Sequence, residues 1–120
     1  ISDTREKLQM AGMVAAVAAV SGDPVTVFVS MNALPYFLKD SAKKASNEGK
    51  MGELLEQKNA PAFMQLFEQA VEYGDAKVYP CSMAMDVMGV TDSDVLPFVK
   101  EPLGLTKFMS DAEKDKVMVF

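Results

Sequence analysis

Residues 25–29 read Val-Thr-Val-Phe-Val, a run of mainly β-branched residues in which polar and apolar positions do not alternate. This pattern is typical of a strand that is buried on both faces, as in a parallel sheet covered by helices. Further strands are predicted at residues 77–79, 97–100 and 115–120, with helices between them. Strands that alternate with helices form βαβ units. The sequence therefore predicts an α/β protein with an open, mainly parallel sheet and helices on both faces.

The first predicted helix, residues 3–20, has an unusual distribution of charge. Asp3 followed three residues later by Glu6 resembles a capping box at its start. From residue 10 to residue 20 the helix is small and apolar on every side, so most of its faces must be covered. We expect a sheet to cover one side and another subunit to cover the other.

The other predicted helices are shorter, and they leave one charged segment between them. Residues 39–60 are rich in charge around a Ser-Asn-Glu-Gly centre, which predicts a mobile, solvated excursion with one weak helix at residues 53–57. Regular apolar spacing, with a proline in the first turn, predicts a helix over residues 61–74. Three more short helices are predicted: one at residues 33–38, one at residues 82–88, and one capped by Thr91 or Asp92.

Composition limits the chemistry that this chain can perform. Its 120 residues (13.0 kDa) predict one domain spanning residues 1–120. The net charge of −5 disfavours nucleic acid as a partner. The absence of His excludes Ser-His-Asp catalysis and His-ligated zinc, and a single Cys excludes intramolecular disulfides and Cys-rich metal sites. We expect no metal and no cofactor.

The apolar run at residues 10–20 is too short for a membrane-spanning helix, which needs ~17–25 residues. It also lacks the basic flank and the cleavage site of a signal peptide. A single thiol without an export signal indicates a reducing compartment, so we expect a cytoplasmic protein.

The single thiol, Cys81, lies between a predicted strand and a predicted helix. In open parallel sheets ligands bind beyond the carboxyl ends of the strands, where helix N-termini present unpaired N–H groups. The helix dipole and these amides would favour the thiolate, which is the nucleophilic form. The alternative is that Cys81 is a small buried hydrophobic residue.

Four neighbours of Cys81 are predicted to bind substrate. Ser82, Met83 and Met85 lie in the turn after it, and Asn32 follows the strand at residues 25–29. Polarizable methionine side chains would suit a sulfur-bearing substrate or the apolar patch of a partner. Methionine and cysteine could also bind Cu(I), but methionine at these spacings more often fills gaps in a core, so we expect no copper site.

The block Cys-Ser-Met-Ala-Met-Asp-Val-Met-Gly, which runs from Cys81 to Gly89, resembles the DsrE/DsrF-like family, in particular its DsrE-like, peroxiredoxin-like branch. The apolar first helix, the strand that ends at Ser30 and Leu-Thr-Lys-Phe at residues 105–108 follow in the family's order. The resemblance thus covers nearly the whole chain. It implies a three-layer α/β/α sandwich with about five strands, assembly as trimers or hexamers, and sulfur carried as a persulfide on Cys81.

The sequence departs from the family pattern in two places. The family's first strand is expected upstream of Ser2, so the sheet predicted here lacks one interior strand. Pro80 directly precedes Cys81, where the family leads us to expect a small residue that can donate its N–H.

We therefore expect a sulfur carrier or sulfurtransferase-like protein that forms homo-oligomers and exchanges sulfur with a donor or acceptor protein. One alternative is a non-catalytic scaffold, in which Cys81 is packed and the methionine-rich turn and residues 10–20 form the oligomer interface. Another is a thiol redox sensor, which would need a resolving thiol from a second molecule because this chain has none.

Overall fold

A computed structural model describes residues 1–41 and 43–120; residue 42, inside the excursion predicted for residues 39–60, lies outside the described residues. Five α-helices, two strands and two short 3-10 helices form the described fold. In chain order they are α1 (Arg5–Val20), β1 (Thr26–Val29), a 3-10 helix (Met31–Phe37), α2 (Lys50–Gln57), α3 (Phe63–Gly74), β2 (Lys77–Pro80), α4 (Ser82–Met88), a 3-10 helix (Asp92–Asp94) and α5 (Leu105–Asp111).

The two strands pair in parallel, as the sequence predicts. The register runs from Thr26 opposite Lys77 to Val29 opposite Pro80. The α/β class is therefore confirmed. Within residues 1–41 and 43–120 the sheet has two strands, and a three-layer sandwich with about five strands is not confirmed.

The segment predicted as a strand at residues 97–100 runs beside β2 but forms only isolated bridges. Val99 bridges Val78 in parallel, and the Lys100 N–H donates to the Val78 carbonyl over 2.8 Å. Pro97 and Pro102 flank this contact and have no N–H to donate. A continuous ladder of backbone hydrogen bonds is therefore interrupted on both sides of Val99.

The predicted terminal strand is not observed at residues 115–120. Here the chain makes terminal contacts instead, because the Phe120 carbonyl accepts hydrogen bonds from the backbone nitrogens of Ile1 (2.8 Å) and Ser2 (3.3 Å). A strand exists only where a neighbour offers a row of backbone groups, and this pair of contacts does not supply one.

Helix α1 packs along α3 through small residues. At the end of α3, a Cβ built on Gly74 would lie 2.4 Å from the carbonyl carbon of Ala19, so the two backbones are in direct contact there. A Cβ on Gly12 would lie 3.1 Å from the Leu66 Cβ. The buried residues of α1 share the face turned to α3: Leu8, Gln9, Gly12, Ala15, Ala16 and Ala19.

The hydrophobic core lies where the first 3-10 helix meets α3 and β2. Leu34 and Val78 are 0% exposed and Phe37 is 1% exposed. The Phe37 ring meets the Phe67 ring edge to face, with 5.2 Å between centroids. The short helix predicted at residues 33–38 is thus a 3-10 helix, Met31–Phe37, that supplies two of the most deeply buried side chains.

The charged segment predicted to be a mobile excursion is attached to the start of α1. The Glu6 carboxylate accepts backbone N–H groups from Glu48 (2.9 Å), Gly49 (2.8 Å) and Gly52 (2.9 Å). These bonds, that from Glu48 first, lower the pKa of Glu6 from its usual 4.5 to about 2. The predicted capping box is wrong, because Thr4 is the N-cap residue and Glu6 caps α2 rather than its own helix.

Candidate functional site

Cys81 lies at the junction of β2 and α4, where the carboxyl end of the strand meets the N-terminus of the helix. Its N–H donates to the Val29 carbonyl over 2.8 Å, which extends the pairing of β2 with β1 by one residue. Its carbonyl accepts the Met85 N–H over 3.0 Å, which closes the first turn of α4. Cys81 is thus the N-cap residue of α4.

A third segment, at Leu103, pairs with the backbone on the other side of Cys81. Leu103 forms an isolated parallel bridge with Cys81. The Leu103 N–H donates to the Pro80 carbonyl over 2.9 Å, and the Ser82 N–H donates to the Leu103 carbonyl over 3.0 Å. Pro80, the departure from the family pattern, therefore contributes its carbonyl to this arrangement. The backbone of Cys81 is bonded to Val29 on one side and bridged to Leu103 on the other.

The thiol itself is closed off from solvent in this conformation. Cys81 is 4% exposed, belongs to the hydrophobic core and makes no side-chain capping hydrogen bond. Two surface clefts occur elsewhere: one between the C-terminal ends of α1 and α3, the other between the first 3-10 helix and the end of α4. Cys81 lines neither cleft. A reagent can therefore reach the sulfur only after a change of conformation.

The four predicted substrate-binding residues divide into two groups around Cys81. Met83 is 55% exposed, Ser82 is half-buried, and Asn32 is exposed in the 3-10 helix that follows β1. Met85 is 3% exposed and belongs to the same core cluster as Cys81. The first three lie at the carboxyl edge of the strand pair. In this conformation the Met85 side chain packs in the hydrophobic core rather than at the edge.

An exposed apolar rim at this edge consists of Met31, Met83 and Leu105. Sequence reasoning named Met83 as a substrate-binding residue but missed Met31 and Leu105. Each of the three lies two residues beyond one of the paired positions Val29, Cys81 and Leu103. They are 53%, 55% and 57% exposed, respectively. The positions of Met31 and Met83, each shortly after a predicted strand, could have indicated this rim from the sequence. Leu105 lies beside them only because Leu103 bridges Cys81 in the folded chain.

Two further structural features concern the residues of this rim. Phe28 of β1 stacks on Phe108 of α5 with 4.8 Å between ring centroids, which seats α5 on the strand and places Leu105 at its start. Met31 has a left-handed backbone with φ of +51°, an uncommon conformation for a residue with a side chain. Strained backbone of this kind tends to cluster at functional sites.

A comparison with known protein families identifies the family to which this chain belongs. Residues 44–120, more than half of the chain, match the DsrE/DsrF/DrsH-like family. The chain belongs to that family. The predicted family relationship is thereby confirmed. No curated protein matches this DsrE/DsrF/DrsH-like chain.

The matched segment contains most of the candidate site. β2, Cys81, α4 and α5 all lie within residues 44–120 of this DsrE/DsrF/DrsH-like protein, whereas Asn32 and Met31 lie outside the match. In the described part of the chain no helix is both long and apolar enough to cross a membrane. Over the same residues, no three His, Cys, Asp or Glu side chains group as ligands for a metal ion.

Proposed function

We propose that this DsrE/DsrF/DrsH-like protein carries sulfane sulfur as a persulfide on Cys81, in a sulfurtransferase-like role. The observation that carries the proposal is the position of the chain's single thiol: it caps α4 at the carboxyl end of a parallel strand pair, within the segment that matches the family. Strand ends of this kind are where open α/β sheets bind ligands.

The chemistry needs no cofactor. The Cys81 thiolate attacks the outer sulfur of a sulfane donor such as thiosulfate. A sulfur–sulfur bond forms on Cys81, the donor's own sulfur–sulfur bond breaks, and sulfite leaves with the electron pair. In the second step the thiolate of an acceptor attacks the outer sulfur of the persulfide, and Cys81 leaves as thiolate. Both steps are thiol exchange, whose rate depends on the thiolate fraction and on access.

Because the thiol is 4% exposed, access requires a local opening, and α4 is suited to one. The helix has seven residues and ends at Gly89, whose backbone is left-handed with φ of +69°. Short elements with few buried contacts open at lower free energy than the whole domain. The apolar rim of Met31, Met83 and Leu105 is already exposed, and its two methionines would present polarizable sulfur atoms to a sulfur-rich donor.

Further parts of the proposal concern assembly and location. We expect a cytoplasmic protein that forms a homo-oligomer, a trimer or a hexamer, and exchanges sulfur with a donor or acceptor protein. The complete fold would be the three-layer α/β/α sandwich with about five strands. The exposed edge beside Cys81 supports a protein partner, since large apolar side chains such as Met83 lie there in contact with water.

A scaffold without sulfur chemistry is the second candidate. The burial of Cys81 in the hydrophobic core favours it, because an inert structural thiol would have the same environment. In that case the apolar rim would serve assembly alone.

Intact mass after incubation with thiosulfate or polysulfide separates these functions. We expect the wild type to gain one sulfur atom and to lose it again to a reductant, whereas Cys81→Ala gains nothing. Val87→Ala, at a position 81% exposed on the same helix, serves as the matched control and should react like the wild type.

Two outcomes would contradict the carrier function. If the native wild type gains no sulfur and resists iodoacetamide while the unfolded chain reacts, the thiol is structural and the protein is a scaffold. If peroxide modifies Cys81 but sulfane donors do not, the protein is a thiol sensor.

A further inference from the structure

Ser30, directly after β1, carries a buried hydroxyl that the described fold does not use. It is 5% exposed and is the N-cap residue of the first 3-10 helix, yet its side chain makes no capping hydrogen bond. Within residues 1–41 and 43–120, no side-chain hydrogen bond involves this hydroxyl. The other buried polar residue, Gln9, donates to the Pro61 carbonyl over 2.9 Å. Because serine at a helix start commonly caps it, the unused hydroxyl of Ser30 requires another explanation.

The hydroxyl oxygen of Ser30 lies at the small accessible part of this residue. In the described part of the chain, every completely buried side-chain oxygen or nitrogen has a hydrogen-bond partner. The Ser30 Oγ has none, so it must still touch solvent although the residue is 5% exposed. A group that arrives at this point can accept its hydrogen bond without displacing an existing one.

Ser30 lies level with Cys81 across the strand pair. Val29 is paired with Pro80, and the Cys81 N–H donates to the Val29 carbonyl over 2.8 Å, so the parallel register continues by one residue. The backbone of Ser30 is still extended, with φ of −143° and ψ of 172°. Neighbouring strands lie about 4.8 Å apart, and level residues project from the same face of the sheet. The hydroxyl and the thiol are therefore on neighbouring side chains of one face.

The hydroxyl makes no hydrogen bond to the resting thiol, but a persulfide has a longer reach. Its outer sulfur lies one sulfur–sulfur bond, about 2.0 Å, beyond the Cys81 Sγ. That extension is large enough to cross much of the distance between neighbouring strands. We propose that the Ser30 hydroxyl donates a hydrogen bond to the outer sulfur of the Cys81 persulfide. This inference rests on the sulfur-carrier function proposed above.

The nearest backbone donors are already in use, which leaves this task to a side chain. The N–H groups of Cys81 and Ser82 donate to carbonyls of the two flanking segments, over 2.8 Å and 3.0 Å. Pro80 has no N–H to donate. Ser30 is thus a neighbour of Cys81 whose donor is not engaged by another described residue.

This hydrogen bond retains the sulfur on the protein. An ionised outer sulfur carries a full negative charge, and a hydrogen bond to an ion is stronger than one between neutral groups, so the hydroxyl favours the ionised form. The negative charge repels the thiolate of a small molecule that approaches the same sulfur. Ser30 therefore protects the persulfide from small thiols.

Loss of the outer sulfur to a small thiol tests the proposal. The full chain is loaded with thiosulfate, freed of excess donor, mixed with glutathione and followed by intact mass. We expect Ser30→Ala to lose its sulfur at least about fivefold faster than the wild type, and Ser30→Thr, which keeps the hydroxyl, to match the wild type to within about twofold. Ser110→Ala removes an exposed hydroxyl from α5 and should behave like the wild type.

Alkylation of unloaded Cys81 by iodoacetamide measures how often the site opens. Because the hydroxyl does not bond the resting thiol, Ser30→Ala and the wild type should be alkylated at rates within about twofold of each other. A merely structural role of Ser30 would accelerate alkylation and sulfur loss by the same factor, and that result would overturn the proposal.

Two further outcomes separate this inference from the function on which it rests. If the wild type gains sulfur but Ser30→Ala retains it equally long, or if Ser30→Thr loses it as fast as Ser30→Ala, the role of the hydroxyl is overturned and the carrier function stands. A wild type that gains no sulfur overturns both.

Discussion

The N-termini of α2 and α4 both contain backbone N–H groups, but those of α2 donate to a carboxylate, whereas the first one of α4, that of Ser82, donates to the Leu103 carbonyl. At α2 the Glu6 carboxylate accepts the N–H groups of Gly49 and Gly52, so the chain supplies its own anion. At α4 the first residue is preceded by Cys81, whose side chain makes no capping hydrogen bond. One helix start binds a carboxylate of the chain, and the other lies beside a thiol.

The difference shows how one kind of backbone group can serve structure in one place and chemistry in another. N–H groups in the first turn of a helix have no intrahelical acceptor and stabilise a negative charge. Glu6 is ionised at neutral pH and fills this role permanently, which ties residues 48–52 to α1. The residue that precedes α4 is instead a cysteine, whose thiolate is a nucleophile, so α4 can take part in chemistry that α2 cannot.

Gly74→Ala is expected to have the largest effect, because it disrupts the packing of α1 on α3 that holds Glu6 in position at the start of α2. The new Cβ would lie 2.4 Å from the Ala19 carbonyl carbon, and backbone cannot move aside cheaply. We expect a loss of about 3 kcal/mol in the free energy of unfolding, measured by urea denaturation. Gly49→Ala is the control, since nothing lies within 4 Å of its added Cβ. Equal stability of the two variants would contradict the close contact.

Gly89→Ala, which strains the end of α4, is expected to have an intermediate effect, measured as the rate at which native Cys81 is alkylated. Gly89 has φ of +69° with nothing within 4 Å, so the substitution costs about 1 kcal/mol of backbone strain without a clash. A cost of that size makes local opening roughly five times more frequent. Alkylation of native Cys81 by iodoacetamide should therefore become roughly fivefold faster.

Gly22→Ala is the matched control for this measurement. Gly22 also has a positive φ, +98°, and nothing within 4 Å, but it follows α1 rather than α4. If the thiol is reached through an opening of α4, Gly22→Ala should leave the alkylation rate unchanged. Equal acceleration by both variants would show that the thiol is reached only through global unfolding.

The smallest effect is expected from Glu6→Gln, because the carboxylate lies at the surface, where solvent screens it. The pKa of Glu6 is lowered in the folded state, so its contribution to stability is complete above pH 4.5 and is lost as the pH falls towards 2. Glu6→Gln should lower stability at neutral pH and flatten its decline between those values. Urea denaturation at several pH values measures this, with Glu72→Gln, an exposed carboxylate on α3, as the control.

Gly52→Ala examines the same contact without altering the acid. Its Cβ would lie 2.6 Å from the Glu6 Oε1 and should displace the carboxylate. We expect the same flattened acid dependence, whereas Gly49→Ala should keep the dependence of the wild type. A wild-type acid dependence in Gly52→Ala would mean that Glu6 does not bind at this helix start.

The sequence was informative about Cys81 and misleading about α1. The short strand pattern at residues 77–79, followed by Pro80, Cys81 and a short helical pattern, correctly places the thiol between a strand and a helix. The uncharged part of α1 led us to expect a sheet on one side and another subunit on the other. In the described chain the buried side of α1 packs on α3 rather than on the sheet, and Val17 on the opposite side is 67% exposed. Periodicity cannot tell a buried from an exposed face when both are apolar.

Local pattern thus determined the α/β class, the parallel direction of the strands and the junction at Cys81, because alternation of strands and helices depends on neighbouring residues. Tertiary structure alone decided that Glu6 would cap a helix more than forty residues away, that Leu103 would bridge Cys81, and that the thiol would be closed from solvent. Each of these depends on groups that are distant in sequence, and the free energy that joins them arises only when the chain has folded.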